Sequence, residues 1–300
     1  MSAKIDLFII GAQKAGTTSL KNYLGEHPEI VTHQSKEFSF FYDDTEYEAG
    51  IEKAYEHYFG TAEMAGKKIV CKHAHLYSSE KAIERLKQHN PECMIVFIMR
   101  NPVKRTLSSY LMEKLYDRVD FEFDELQHAL NGSGELKLED WQFEAIVEFG
   151  FYYNYLQLVY KHFAKEKVKL ILFEEFSKHP LRFCTEIFSS FGINNEFQPR
   201  VRVVHNKTSQ PKSKFFAGFL KRFLVEKNPV KEGIKRVMPS NTSARLGEKL
   251  RDANRSKKNN YEMSKEMKIF LENYFLLHNK SLAELTGINL DAWVSSKKEN

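Results

Sequence analysis

Cysteine is scarce in this 300-residue chain, and Cys71, Cys93 and Cys184 stand far apart with no CxxC spacing. That excludes a disulfide framework and a cysteine-based zinc site, and it fits a reducing compartment. No apolar run is long enough for a bilayer: Leu7 to Ile10 is followed at once by glycine, where a span needs about 20 residues. No basic stretch leading into an apolar segment marks a secretory leader. The expected location is cytoplasmic, without a stable membrane span. Strong charge of one sign is missing too, since 45 Lys and Arg against 40 Asp and Glu leave only +5. A bias this mild suits a small polyanionic ligand in a cleft better than a wrapped duplex, and no nucleic-acid partner is expected. Internal repeats and low-complexity tracts are absent, and nothing in the sequence sets an oligomeric state.

What remains is an ordinary globular composition, 42% apolar and 28% charged, in a chain long enough to bury a sizeable core without metals or disulfides. One domain over 1–300 is expected, with a basic, less regular segment over about 200–258 covering the cleft. Within that segment Phe215 to Leu224 reads as an amphipathic helix. Strands are expected at Leu7 to Ile10, Ile30 to Thr32, Lys68 to Lys72, Cys93 to Met99 and Val168 to Phe173. The Cys93 to Met99 run is apolar throughout, as in a parallel strand covered on both faces. Helical patterns fall between them: from about Thr17 to Gly25, over 45–60 with a solvated face, from Ser79 to Gln88, from Pro102 onward, and over 150–160. The chain closes with two helices, Ser264 to His278 and Ser281 to Leu285. Alternating strands and helices predict an α/β fold, P-loop-like and three-layered, with a mostly parallel central sheet flanked by helices.

The first strand runs directly into Gly11-Ala12-Gln13-Lys14-Ala15-Gly16-Thr17-Thr18-Ser19. A glycine-bounded turn opening a helix directs unpaired N–H groups and the helix dipole at one point, which suits a phosphate. The glycine spacing is that of a Walker loop, but Thr17 stands where the lysine belongs and the lysine sits inside the turn as Lys14. A magnesium-dependent NTPase also needs an acid at a strand end. The strongest strand ends instead in Arg100, and only Glu174 and Glu175 after the last strand could replace that acid; they read as structural. No metal-binding residues are assigned.

A phosphate cradle, an arginine at a second strand end and Ser108 eight residues beyond it together resemble the sulfotransferases that use 3′-phosphoadenosine 5′-phosphosulfate (PAPS). The resemblance is to a bacterial type related to the heparan-sulfate and cytosolic branches. It implies that Lys14, Ala15, Gly16, Thr17, Thr18 and Ser19 bind the 5′-phosphosulfate, that Arg100 and Ser108 bind the 3′-phosphate, and that 3′,5′-adenosine bisphosphate (PAP) is released with no metal required. Lys36-Glu37-Phe38-Ser39-Phe40-Phe41 is similar to the segment carrying a catalytic glutamate in the heparan-sulfate branch, which implies Glu37 as base. Gly150-Phe151-Tyr152 and the ending Leu285 to Trp293 also look like the family. Two departures stand out. Asn101 replaces an aspartate, and Cys71-Lys72-His73-Ala74-His75 stands where relatives show an acid, a lysine, a small residue and a proline.

The resemblance implies sulfuryl transfer from PAPS to a hydroxyl or amine of a small organic or sugar acceptor. Lys14 would stabilise the leaving oxygen, Lys72 would contact the sulfonate or an anionic acceptor, and either Glu37 or one of His73 and His75 would be the base. Two other classes stay open: a P-loop kinase or ATPase, and a nucleotide-binding module without catalysis.

Overall fold

The computed structural model describes residues 3–201 and 261–293. Most of the basic segment over 200–258, with the amphipathic stretch Phe215 to Leu224, lies outside the described residues. Five strands, β1 (Leu7–Gly11), β2 (Ile30–Thr32), β3 (Lys68–Lys72), β4 (Met94–Met99) and β5 (Val168–Leu172), form one sheet in the order β2-β3-β1-β4-β5. Every pairing is parallel, with Leu7 opposite both Val70 and Met94, Ile30 opposite Lys68, and Ile95 opposite Val168. All five residues of β1 are buried, as they must be in a central strand covered on both faces.

Between the strands lie α1 (Thr17–Leu24), α2 (Asp44–Ala49), α3 (Ile51–Phe59), α4 (Glu80–His89), α5 (Pro102–Leu115), α6 (Glu125–Asn131), α7 (Asp140–Ile146) and α8 (Tyr152–His162). After β5 come α9 (Phe173–Lys178) and α10 (Pro180–Phe191), then α11 (Lys265–Thr286). Ser79 caps α4 by accepting from the Ala82 N–H at 3.2 Å, and Pro180 opens α10 where its missing N–H costs nothing. Two helical expectations are corrected. The stretch 45–60 is two helices broken at Gly50 (φ 94°), and Ala54, Tyr55, Tyr58 and Phe59 are buried, so the tyrosines are core, not solvated face. The closing pair of helices is one continuous helix, α11, whose hydrogen-bond ladder runs through 279–281.

The described residues divide into two compact units. The first, over 3–105, 147–201 and 272–293, contains the whole sheet and its core. The second comprises 106–146 and 261–271. It is organised on Tyr110, whose ring meets Phe121, Phe123 and Tyr261 and whose hydroxyl donates to the Phe121 carbonyl at 2.7 Å.

In a parallel sheet the carboxyl ends of the strands share one edge. Here that edge carries Gly11, Lys72, Met99 and Leu172. The residues immediately beyond these ends are the ones with chemistry to offer.

Candidate active site

The turn after β1 is fixed by backbone bonds: Ala12 N–H donates to the Ile98 carbonyl at 2.7 Å and Ala15 N–H to the Ala12 carbonyl at 3.1 Å. Lys14 and Gly16 both take left-handed conformations, φ 69° and 84°. Such turns direct successive N–H groups to one concave side. Gly16 is the N-cap of α1, which has no side-chain cap, and the first helical bond is Leu20 N–H to the Gly16 carbonyl at 3.1 Å. The N–H groups of the first turn are thus left for a ligand. A Cβ on Gly11 would collide with the Tyr77 ring, so close packing requires glycine there, while one on Gly16 would crowd the Phe173 ring at 3.1 Å at a φ of 84° that itself favours glycine. Thr17 is buried, Ser19 half-buried and Thr18 exposed.

Arg100, one residue past β4, reaches this turn. Its Nη1 donates to the Lys14 carbonyl at 2.9 Å, and its guanidinium lies 5.0 Å from the centre of the Phe173 ring. The Arg100 Nε is buried with no hydrogen-bond partner among the described residues, which is an opening for an anion. Burial draws the guanidinium down from its ordinary range, while the nearby Glu174 opposes that. Ser108 is on α5, 3% exposed, in the second unit.

Glu174 settles what the acid after β5 does. Its Oε1 accepts the Asn101 N–H at 3.0 Å and its Oε2 the Trp293 indole N–H at 3.4 Å. Asn101 in turn caps α5 by accepting from Lys104 N–H at 3.2 Å and donates through Nδ2 to the Trp293 carbonyl at 3.0 Å. The asparagine, the glutamate and the tryptophan of the ending form one bracket across the ends of β4 and β5.

A second cluster gathers at the end of β3. The Lys72 Nζ meets Glu37 Oε1 at 2.7 Å, with the lysine side chain 1% and the glutamate 25% exposed. Glu37 Oε2 accepts the Ala74 N–H at 2.9 Å, and Phe38 N–H donates to the Lys72 carbonyl at 2.8 Å. Burial lowers the Lys72 ammonium, and Glu37 holds it up. His73 and His75 flank Ala74: the His75 N–H donates to His73 Nδ1 at 3.4 Å, and the His73 ring stacks on Tyr42 at 4.5 Å. Both imidazoles are lowered to about 4, each chiefly by burial, then by Lys72 at His73 and by His73 at His75. They are neutral near pH 7.

Apart from Ser108 in the second unit, the predicted residues fall into two assemblies of the first unit: Lys14 through Ser19 with Arg100, and Glu37 with Lys72, His73 and His75. Two further residues carried no assigned role in the sequence. His33 accepts the Lys72 N–H at 3.2 Å, and its imidazole is lowered to about 2 by burial and then by Lys21 and Lys72. Lys21 is buried on α1. The signal for Lys21 was present, since Thr17, Leu20 and Leu24 place it within the core-facing stripe of the helix.

Buried neutral histidines make a testable acid transition. His33 and His73 bind protons in the unfolded chain near 6.5 but in the fold only near 2 and 4. Between those values the unfolded state holds more protons, so stability is full above about pH 6.5 and falls as pH drops. At pH 5 each should cost about 2 kcal/mol relative to pH 7.5. Denaturant midpoints at the two pH values check this, and His73→Gln should lose correspondingly less.

A family model described as the sulfotransferase domain matches residues 4–232. The chain belongs to the sulfotransferase family. The bifunctional heparan sulfate N-deacetylase/N-sulfotransferase 1 of Xenopus laevis is 23% identical over 98% of the chain, and that of Mus musculus 24% identical over 98%. The chain spans 31% of the length of each. A sulfotransferase from Alicyclobacillus acidocaldarius shares the fold, with a TM-score of 0.64 at 22% identity over 97% of this chain and 99% of that one. The central parallel sheet flanked by helices is thus the P-loop-like α/β fold of sulfotransferases. Among the described residues no helix is long and apolar enough to cross a membrane, and no group of three or more His, Cys, Asp or Glu could hold a metal ion.

Proposed function

We propose that this sulfotransferase takes its sulfuryl group from PAPS and passes it in line to a hydroxyl or amine of a small organic or sugar acceptor. The observation that carries this reading is the bond from Arg100 to the Lys14 carbonyl, 2.9 Å. It brings a buried cation from the end of β4 against the anion-binding turn of β1, where an ATPase would have a magnesium-binding acid. The carboxylate of Glu174 is already committed to Asn101 and Trp293. The Arg100 Nε, which has no partner among the described residues, and the start of α1, which has no side-chain cap there, fit a nucleotide carrying two separate anionic groups.

When bound, PAPS supplies an activated sulfuryl group with PAP as its leaving group. The N–H groups of the turn and of Thr17, Thr18 and Ser19 hold the 5′ end, with the dipole of α1 behind them. Lys14 offsets charge on the departing phosphate oxygen. The family resemblance assigns the 3′-phosphate to Arg100 and Ser108. Glu37 takes the acceptor proton: among the described residues each carboxylate oxygen has one partner and keeps a lone pair for the proton. Lys72 orients that carboxylate and places positive charge beside the transferred group. His73 and His75, weakened as bases by burial, serve the acceptor site beside Tyr42. The N-sulfotransferase relatives make a sugar amine a natural member of the acceptor panel.

Arg100→Ala tests the reading through the nucleotide. Charged hydrogen bonds are worth about 1.5–3 kcal/mol, so PAP should bind roughly 10- to 150-fold more weakly by calorimetry. Adenosine 5′-phosphosulfate, which lacks the 3′-phosphate, should lose clearly less affinity, because it feels only the loosened hold on the Lys14 carbonyl. Equal losses for both nucleotides would remove Arg100 from the 3′-phosphate.

A further inference from the structure

Lys21 occupies the core-facing stripe of α1 at 6% exposure. An ammonium taken out of water costs several kcal/mol unless its environment compensates, and Lys21 forms no ion pair among the described residues. Its Nζ instead donates to two backbone carbonyls, that of His33 at 2.9 Å and that of Ser35 at 3.3 Å. Both belong to the strap between β2 and α2 that carries Glu37 two residues further on.

The strap is held from two other directions. On the β3 side, Lys72 N–H donates to His33 Nε2 at 3.2 Å and Phe38 N–H to the Lys72 carbonyl at 2.8 Å. At its far end Arg85 donates to the Phe41 carbonyl at 3.1 Å and to Asp44 at 2.6 Å, with its guanidinium 4.0 Å from the centre of the Tyr47 ring. Lys21 supplies the link toward α1, the helix whose first turn closes the anion-binding loop. The groups around it are Lys72 and Cys71 from β3 and Glu37 and His33 from the strap. Burial, then repulsion from Lys72, lower the Lys21 ammonium to about 8. An apolar side chain would fill this stripe without that cost, but it would leave the two carbonyls without their donor.

We propose that Lys21 is a positioning residue for sulfuryl transfer: it ties the strap bearing Glu37 to the helix bearing the donor loop, and so fixes the base relative to the donor. The assignment rests on Glu37 as base in the function proposed above. Charge-assisted bonds to backbone carbonyls are shorter and stronger than neutral ones. Small displacements of a reacting group cost about 100-fold in rate.

Lys21→Met removes the ammonium and keeps most of the stem. Calorimetry should find PAP affinity within about twofold of the parent, while kcat falls about 10- to 100-fold, and Lys21→Arg should recover most of that loss. Hydrogen exchange provides a readout independent of turnover. The amides of residues 35–38 should exchange about tenfold faster in Lys21→Met, with those of β1 and β4 unchanged. An unchanged kcat, a PAP affinity that falls in step with kcat, or exchange that rises uniformly over the sheet would each overturn the proposal. If the parent transfers sulfuryl to no acceptor, the function proposed above fails, and the exchange pattern alone decides whether Lys21 holds the strap. Should Lys21→Met not fold, Lys21→Gln, which keeps a donor without the charge, is read by the same measurements.

Discussion

Lys14→Ala should lower kcat for every acceptor by about 10²- to 10³-fold, the loss expected when one preorganised electrostatic stabiliser is removed. The backbone at this position is secured independently of the side chain, because Arg100 grips the Lys14 carbonyl at 2.9 Å. Lysine and alanine both pay for the left-handed φ of 69°. The substitution therefore reads the ammonium more than the loop. Charge on the departing oxygen develops only in the transition state, so the loss should fall on kcat more than on the KM for PAPS. Steady-state kinetics checks this, and a kcat equal to the parent's would show that Lys14 does not act on the leaving group.

Glu37→Gln should cost about 10²- to 10⁴-fold in kcat, the range for removing a general base. It also strips the buried Lys72 of its anion at 2.7 Å, and breaking such a pair typically costs about 3–5 kcal/mol of stability. The double variant Glu37→Gln/Lys72→Met separates the two effects: stability measured by denaturant should return, but kcat should not. If Glu37→Gln instead keeps full activity while His73→Ala or His75→Ala loses it, the base is a histidine.

The strongest strand was legible because buried parallel strands are written as short unbroken apolar runs, as Cys93 to Met99 shows, and the alternation of strands with helices made the parallel arrangement legible. The glycine-bounded turn after β1 was legible for a similarly local reason. Lys14 and Gly16 fall within one turn, and no long-range packing is needed to bring them together. The contact between Glu37 and Lys72 joins residues 35 apart, and it exists only because the strap after β2 crosses the end of β3. Periodicity carries no information about such a crossing; only the family resemblance singled out Glu37.

Tyr55 and Tyr58 misled in the opposite direction. Each sits among glutamates in sequence, but Tyr55 donates to the Ala3 carbonyl at 2.6 Å and Tyr58 reaches Glu46 at 2.8 Å, so both rings can be buried with their hydroxyls satisfied. Asn101 read as a substitution for an aspartate. Its roles as helix cap and as anchor of Trp293 depend on the last described residue of the chain meeting the end of β4. Lys21 was passed over because a lysine on a helix is usually solvated, although its place in the stripe of Thr17, Leu20 and Leu24 was visible.

The central claim is that the domain moves a sulfuryl group from PAPS, and the most direct measurement is transfer of label from [35S]PAPS to a panel of alcohols, phenols, amines and amino sugars, run beside [γ-32P]ATP with magnesium. The account predicts 35S-labelled product from at least one hydroxyl or amine, undiminished by a chelator, and no transfer from ATP. Phosphoryl transfer from ATP, or a panel in which no acceptor gains 35S, would contradict it.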